Sequence, residues 1–134
     1  MNDWIAQILE NENKERVKQE ISRIDNPELI HNIALNYNWD NGFDLPYWLI
    51  ENVNCELGTA LMLFYNADGY VFLEQGTLSM EKEWSIFTNM IFNKILNGEF
   101  NSEKVTYRPS LTRVQKYKLK KINANIPDLV LDGV

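Results

Sequence analysis

Apolar residues recur at helical spacing along most of the chain. The clearest stretch covers residues 80–96, where apolar side chains repeat every three or four positions and a second set fills another side. This spacing places residues on one face of an α-helix. Residues 70–73 fit either a short strand or one more helical turn, and periodicity does not decide between them; residues 105–107 suit an extended segment that leads into Pro109. The chain is therefore predicted to be all-α, with six or seven short helices.

Two helix starts look alike. Asp25 and Asn26 precede Pro27, and Asp44 precedes Pro46 further along the chain. A side-chain oxygen at such a position can cap free N–H groups, and proline has no N–H to leave unpaired. Two short helices that begin in the same way predict stacked helical hairpins, as in helical-repeat folds. We expect residues 1–134 to form a single domain of this kind.

A central helix is predicted to follow Asn54 or Cys55, since apolar residues lie on both of its sides. The small residues from Gly58 to Ala60 favour close approach of a neighbouring helix, and the Asp-Gly pair at residues 68–69 ends the segment. The long helix is expected to be capped by Ser79 and to end before Gly98. The predicted core includes Leu61, Phe64, Trp84, Phe87 and Ile91.

The polar segment NWDNGFD at residues 38–44 raises the possibility of a calcium loop. Counted back from Gly42, however, positions that need an oxygen ligand hold Tyr37 and Trp39, and the twelfth position holds Trp48 instead of glutamate. The Asn-Gly pair instead suits a turn with positive φ, and Asp44 suits a cap or an Asx-turn. We predict a turn between antiparallel helices and no metal.

Catalytic patterns are not recognisable in the sequence. His31 is the sole histidine and Cys55 the sole cysteine, and no spacing places one beside the other. A lone cysteine is more often a small buried apolar residue than a nucleophile. The scattered glycines form no phosphate-binding loop. These observations predict a protein that is not an enzyme and has no cofactor.

Composition predicts the class of protein and its compartment. A hydrophobic content of 45% and a charged content of 24% are ordinary for a globular domain. The N-terminal residues lack the basic region of a signal peptide, and no apolar run reaches membrane-spanning length. A single cysteine fits a reducing environment. We expect a soluble cytoplasmic protein that does not enter a membrane.

Charge is segregated along the sequence. The net charge is −6, yet no Lys or Arg lies between Arg23 and Lys82, whereas residues 104–121 hold seven cations and no acid. One interpretation is a scaffold in which the basic segment neutralises the acids internally. A second is an acidic surface that binds a partner. The basic segment could also follow a nucleic-acid backbone, but the acidic remainder would repel phosphate, which makes this the weaker alternative.

Two segments, YNWDNGF at residues 37–43 and CELGTALMLFYNADG at residues 55–69, resemble a bacterial family of small proteins known as a domain of unknown function, DUF4274. The resemblance implies a compact helical domain of bacterial origin. Some small families of this kind accompany toxin genes as immunity proteins. Together with the acidic charge, this predicts a non-catalytic protein that neutralises a basic toxin domain, such as a nuclease. The predicted contact residues are Asp40, Asp44, Glu51, Glu56 and Asp68, with Trp39, Phe43 and Tyr47 as apolar anchors if they are exposed.

Overall fold

The computed structural model describes residues 3–134, and these residues form α-helices, turns and irregular segments without a β-strand. The all-α prediction is therefore confirmed, although the helices are shorter and more numerous than expected. A 3₁₀ turn, Trp39–Asn41, precedes the fourth α-helix. In chain order the α-helices are α1 Asp3–Glu10, α2 Lys14–Ser22, α3 Pro27–Leu35, α4 Asp44–Glu51, α5 Leu57–Asn66, α6 Gly69–Gln75, α7 Lys82–Leu96, α8 Arg113–Ile122 and α9 Asp128–Asp132.

The helices stack as hairpins. We refer to the consecutive helices α2 and α3 as one hairpin and to α4 and α5 as the next; α2 packs on α4, and α3 packs on α5. Lys14 pairs with Asp44 where α2 and α4 begin, and Asn52 bonds to Ile21 where they end, so these two helices run parallel. Helices α1 and α7 extend the layer of α3 and α5 on either side. This is the predicted stacked-hairpin arrangement.

A buried asparagine joins the two hairpins. The side-chain amide of Asn52 donates to the carbonyl oxygens of Ile21 at 2.8 Å and Ile24 at 2.9 Å. Asn54 also donates to the Ile24 carbonyl, at 3.2 Å. The last carbonyl groups of a helix lack partners within the helix. The loop after α4 supplies partners for the end of α2, and thus fixes one hairpin against the other.

The two similar helix starts differ in detail. Asn26 caps α3, accepting a hydrogen bond from the N–H of Glu28, with Pro27 as the first helical residue, as predicted. In α4 the prediction was wrong, since Asp44 is itself the first helical residue and its carboxylate pairs with Lys14. The preceding segment is the predicted turn, and Gly42 has a φ of +93°. Most side chains are strained at that angle, which explains the glycine.

Helix α7 begins later than expected. Glu81 holds the N-cap position without a side-chain cap, and Ser79 instead hydrogen-bonds to Gln75, so the predicted Ser79 cap was wrong. The predicted end is confirmed. Gly98 has a φ of +68°, and the N–H of Glu99 donates to the Lys94 carbonyl at 3.1 Å. This is the hydrogen-bond pattern of a Schellman motif.

Helix α5 is the buried centre of the fold, as predicted, with every residue from Gly58 to Phe64 buried. We expected a neighbouring helix to approach the small residues, but the segment that approaches Gly58 is the irregular chain around Val105. A Cβ atom on Gly58 would lie 2.9 Å from both the Cγ1 atom and the carbonyl oxygen of Val105. Glycine is therefore required by the close approach of this chain.

The segments that periodicity left open adopt different structures. Residues 70–73 lie within helix α6, so an extended structure there was wrong. Residues 105–107 are irregular, and Tyr107 exchanges two backbone hydrogen bonds with Val134, at 2.8 and 2.9 Å. This exchange holds the C-terminal residues against the chain that follows α7.

The core is one cluster of buried apolar residues that extends from Ile5 to Leu131. Phe64 and Phe87 are the largest fully buried side chains, and Leu61 and Ile91 are also fully buried. The prediction for Trp84 was wrong, because its side chain is only half-buried at the edge of the cluster.

Candidate partner-binding surface

The three predicted aromatic anchors are half-buried and pack on one another and on α7. Ring centroids are 5.7 Å apart for Trp39 and Phe43, and 5.1 Å apart for Tyr47 and Phe87. Trp84 completes the cluster, with its ring 5.0 Å from Phe43. Edge-to-face aromatic pairs of this kind stabilise a fold. These side chains are therefore core packing rather than exposed anchors.

Four of the predicted acids are exposed. Asp44 and Glu51 are seven residues apart on α4, so they share one face of that helix, and Asp40 lies in the turn before it. Asp68 lies elsewhere, in the tight turn between α5 and α6, with a φ of 65°. The structure thus places three of the predicted contact residues along α4 and in the turn that precedes it.

Glu56 is not available to a partner, so its assignment as a contact residue was wrong. Its side chain is buried, with 5% exposure, and one carboxylate oxygen accepts three backbone hydrogen bonds. The donors are the N–H groups of Glu103, Lys104 and Val105, at 3.0, 2.8 and 2.9 Å. Burial alone would raise the pKa of Glu56, but these hydrogen bonds outweigh it and lower the pKa below its ordinary value. Glu56 is a structural clamp for the chain after α7.

The stretch without Lys or Arg does not give a surface without cations. Helix α2 lies beside α4, and the Lys14 ammonium is 3.1 Å from the Asp44 carboxylate. Lys18, one turn further along α2, lines the same hollow as Glu51. Sequence reasoning missed both lysines because their positions depend on how the hairpins stack.

A groove runs along this surface. It consists of two adjoining hollows, of about 450 and 420 Å³, which share Lys14, Asn41 and Asp44 in their walls. We refer to these two hollows together as the groove. Besides the shared residues, its walls carry the following charged groups: Glu10, Glu12 and Glu83.

The basic segment is partly neutralised within the fold. Three lysines of α8 form ion pairs: Lys116 with Asp132 at 2.8 Å, Lys118 with Glu74 at 2.8 Å and Lys120 with Asp128 at 3.0 Å. Of these acids, only Glu74 belongs to the stretch that lacks Lys and Arg. The other cations of residues 104–121 form no ion pair within the described part of the chain.

Cys55 and His31 have separate environments. Burial and the neighbouring charge of Glu56 raise the pKa of the Cys55 thiol to about 12. His31 contacts the Thr59 hydroxyl through Nδ1 at 2.8 Å, and burial lowers its pKa. Among residues 3–134, no group of three or more His, Cys, Asp or Glu side chains is arranged to hold a metal ion. Among the same residues, no helix has the length and hydrophobicity to cross a membrane.

Comparison with known proteins identifies a family. The model of the family described as Domain of unknown function (DUF4274) matches residues 25–97. The chain belongs to DUF4274. In this structure the DUF4274 segment begins just before α3 and ends just after α7, so it covers helices α3 to α7 and the aromatic cluster. No curated protein and no solved structure matches the chain.

Proposed function

We propose that this protein is a non-catalytic cytoplasmic protein that binds and neutralises a basic partner, as an immunity protein does for a toxin. The observation that carries the proposal is the exposed acidic surface along α4, formed by Asp40, Asp44 and Glu51 beside a groove. Membership of a family of unknown function is compatible with this role and does not assign it.

Electrostatics makes this surface suited to such a partner. A toxic nuclease must attract phosphate and is therefore usually basic around its active site. An acidic inhibitor is attracted to that region and can occupy the place of the nucleic-acid backbone. The net charge of −6 also attracts a basic partner over a longer range. We therefore expect association to be fast at low salt and to slow as ionic strength rises.

The test begins with the product of a neighbouring toxin gene. We expect the two proteins to purify together and the present protein to protect cells from the toxin. Reversing the charges with Asp40→Lys, Asp44→Lys and Glu51→Lys should slow association and weaken the complex. A matched triple reversal at three exposed acids away from α4, Asp3, Asp25 and Glu103, controls for net charge.

Three results would count against the proposal in different ways. Failure to protect cells from the toxin would remove the immunity function. A complex as tight and as fast to form after the α4 reversals would remove the acidic-surface mechanism. Equal weakening by the control reversals would show that net charge, and not the α4 surface, drives the association.

A structural scaffold is the second candidate, supported by the ion pairs of α8. Lys118 pairs across the fold with Glu74 on α6, which is the internal neutralisation that a scaffold predicts. Under this interpretation, replacing Lys116, Lys118 and Lys120 with Gln should lower the melting temperature. The same variant should not weaken the binding of a toxin partner if the α4 surface is the functional one.

A further inference from the structure

We propose that the groove binds a basic peptide segment of the partner, whose cationic side chain replaces Lys14 on Asp44 while an adjacent apolar side chain enters the larger hollow. This inference rests on the proposed function, because it identifies where and by what chemistry the partner is held. It assigns a role to residues of α1 and α2, which lie outside the DUF4274 segment.

The Lys14–Asp44 ion pair stands between the two hollows. Both hollows include Lys14 and Asp44 in their walls, so a ligand that spans the groove must cross this pair. The two side chains are 75% and 61% exposed. Exposed ion pairs contribute little to stability, so opening this one costs little. An incoming guanidinium group can form two parallel hydrogen bonds with the carboxylate, whereas the lysine ammonium offers a single point of contact.

The charge of the groove selects a basic ligand. Glu10, Glu12, Asp44 and Glu83 contribute four carboxylates, and among the described residues Lys14 contributes the one cation in the walls of the two hollows. A phosphate-rich ligand would be repelled by this set, and an acidic peptide likewise. Lys14 lines the same hollow as Glu10 and Glu12, so an ammonium group displaced from Asp44 still has acidic residues in the wall around it.

The larger hollow also offers apolar contacts. Ile8, Val17 and Leu45 are buried side chains in its wall, and Leu9 and Trp48 are half-buried there. Such surfaces accept an aliphatic side chain or the methylene stem of arginine or lysine. The ligand that fits both features is a short segment that alternates cationic and aliphatic residues. A ligand with only one of the two features would use half of the groove.

Defined peptides test the groove without knowledge of the partner. The probe is acetyl-Leu-Arg-Leu-Arg-amide, titrated into the ¹⁵N-labelled full chain and followed by amide chemical shifts and the indole N–H of Trp48. Acetyl-Leu-Gln-Leu-Gln-amide lacks the charge, and acetyl-Gly-Arg-Gly-Arg-amide lacks the apolar side chains. We expect saturable shifts at Glu12, Asp44 and Trp48 with the first peptide, and clearly weaker binding of the other two.

Two variants with matched controls identify the displacement of Lys14. Lys14→Gln should tighten binding of the first peptide by about two- to fivefold, because the competing ammonium is gone. Lys18→Gln changes the net charge equally on the same helix but lines a different hollow, so it should leave binding nearly unchanged. Asp44→Asn should weaken binding, whereas Glu28→Gln, which removes the charge of an exposed carboxylate on α3 outside both hollows, should not.

Each outcome decides the proposal. Any of three results would overturn the proposal that a basic peptide binds in the groove. These are equal effects of Lys14→Gln and Lys18→Gln, shifts spread over the whole acidic surface, and no saturable shifts. If the peptide test fails and the toxin partner still binds, the proposed function is retained and the groove is rejected as the binding site. If the peptide binds in the groove but cells are not protected, peptide binding in the groove is retained and the immunity function is rejected.

Discussion

The backbone N–H of Val105 donates a 2.9 Å hydrogen bond to the buried carboxylate of Glu56. Glu56 directly precedes the central helix α5, and Val105 lies beyond the end of α7. The same oxygen accepts from the two residues before Val105, and the Leu57 N–H donates to the Asn101 carbonyl at 2.8 Å. The start of α5 is therefore the point at which the C-terminal part of the chain is attached to the central hairpins.

Removal of this carboxylate should destabilise the protein. We expect Glu56→Ala to lower the free energy of unfolding by about 2–3 kcal/mol, because a charged acceptor is lost and the buried Val105 N–H is left without a partner. Urea denaturation followed by circular dichroism measures the effect. Glu103→Ala, which removes an exposed carboxylate from the same segment, is the control and should change little. Equal midpoints for the two variants would contradict the clamp.

The clamp should also make stability depend on acid. The pKa of Glu56 lies below its ordinary value of 4.5, so the stabilisation is complete above 4.5 and is lost as the pH falls through the lower pKa of the folded state. Glu56→Gln should therefore flatten the loss of stability below that value. His31 contributes a separate loss that begins at higher pH, since burial lowers its pKa from 6.5. Urea midpoints at a series of pH values distinguish the two, and parallel curves for wild type and variant would contradict the assignment.

Gly58→Ala should be destabilising, against the usual effect of this change in a helix. Alanine normally favours a helix over glycine by about 1 kcal/mol. Here the new Cβ would lie 2.9 Å from the carbonyl oxygen of Val105, so backbone must move. We expect a net loss of about 1–3 kcal/mol, as for an overpacked core. In a Val105→Ala background the cost of Gly58→Ala should be smaller, because the Cγ1 contact is absent and only the carbonyl contact remains. A rise in melting temperature for Gly58→Ala would contradict the close approach.

Two neighbouring residues on α7 should respond differently to truncation. Phe87 is fully buried, so Phe87→Ala should cost about 3–5 kcal/mol of unfolding free energy. Ile86 is 52% exposed, so Ile86→Ala should cost less than about 1 kcal/mol. Thermal denaturation of both variants measures the contrast. A similar shift for both would mean that α7 packs through a different face.

The Cys55 thiol should be unreactive in the folded protein. It is 2% exposed, and its raised pKa keeps it protonated at neutral pH, whereas thiol reagents attack the thiolate. We expect alkylation at neutral pH to be slow in buffer and fast in denaturing urea. Rapid modification of the native protein would show that the region around the start of α5 opens readily.

Local patterns predicted the helices and several of their ends. The apolar spacing of α7, the glycine after its end and the cap at Asn26 each depend on residues within about one turn of one another. Ser79 and Asp44 were misassigned as caps because a suitable side chain is necessary but not sufficient. In the fold Asp44 lies inside α4 and pairs with Lys14, and Ser79 lies before the N-cap of α7 and donates to Gln75.

The candidate site depended on contacts that sequence does not encode locally. Glu56 resembled the other acids of its stretch, although its donors lie more than forty residues further along the chain. Lys14 pairs with Asp44 only because α2 packs on α4. The aromatic residues near α4 were predicted as anchors if exposed, but their partial burial depends on Trp84 and Phe87 from a distant helix. The features that were predicted therefore depend on residues close in sequence, and the contacts that were missed join residues far apart in sequence.

The Asn52 hydrogen bonds bear on where this family segment can be cut. Their acceptors, Ile21 and Ile24, lie just before residue 25, and the three donors to Glu56 lie just after residue 97. Excision of residues 25–97 would remove the partners of two buried polar side chains at once and open both to water. We therefore expect residues 25–97 of this protein to be less stable when excised than within the chain, because contacts that stabilise them extend beyond both ends of the segment.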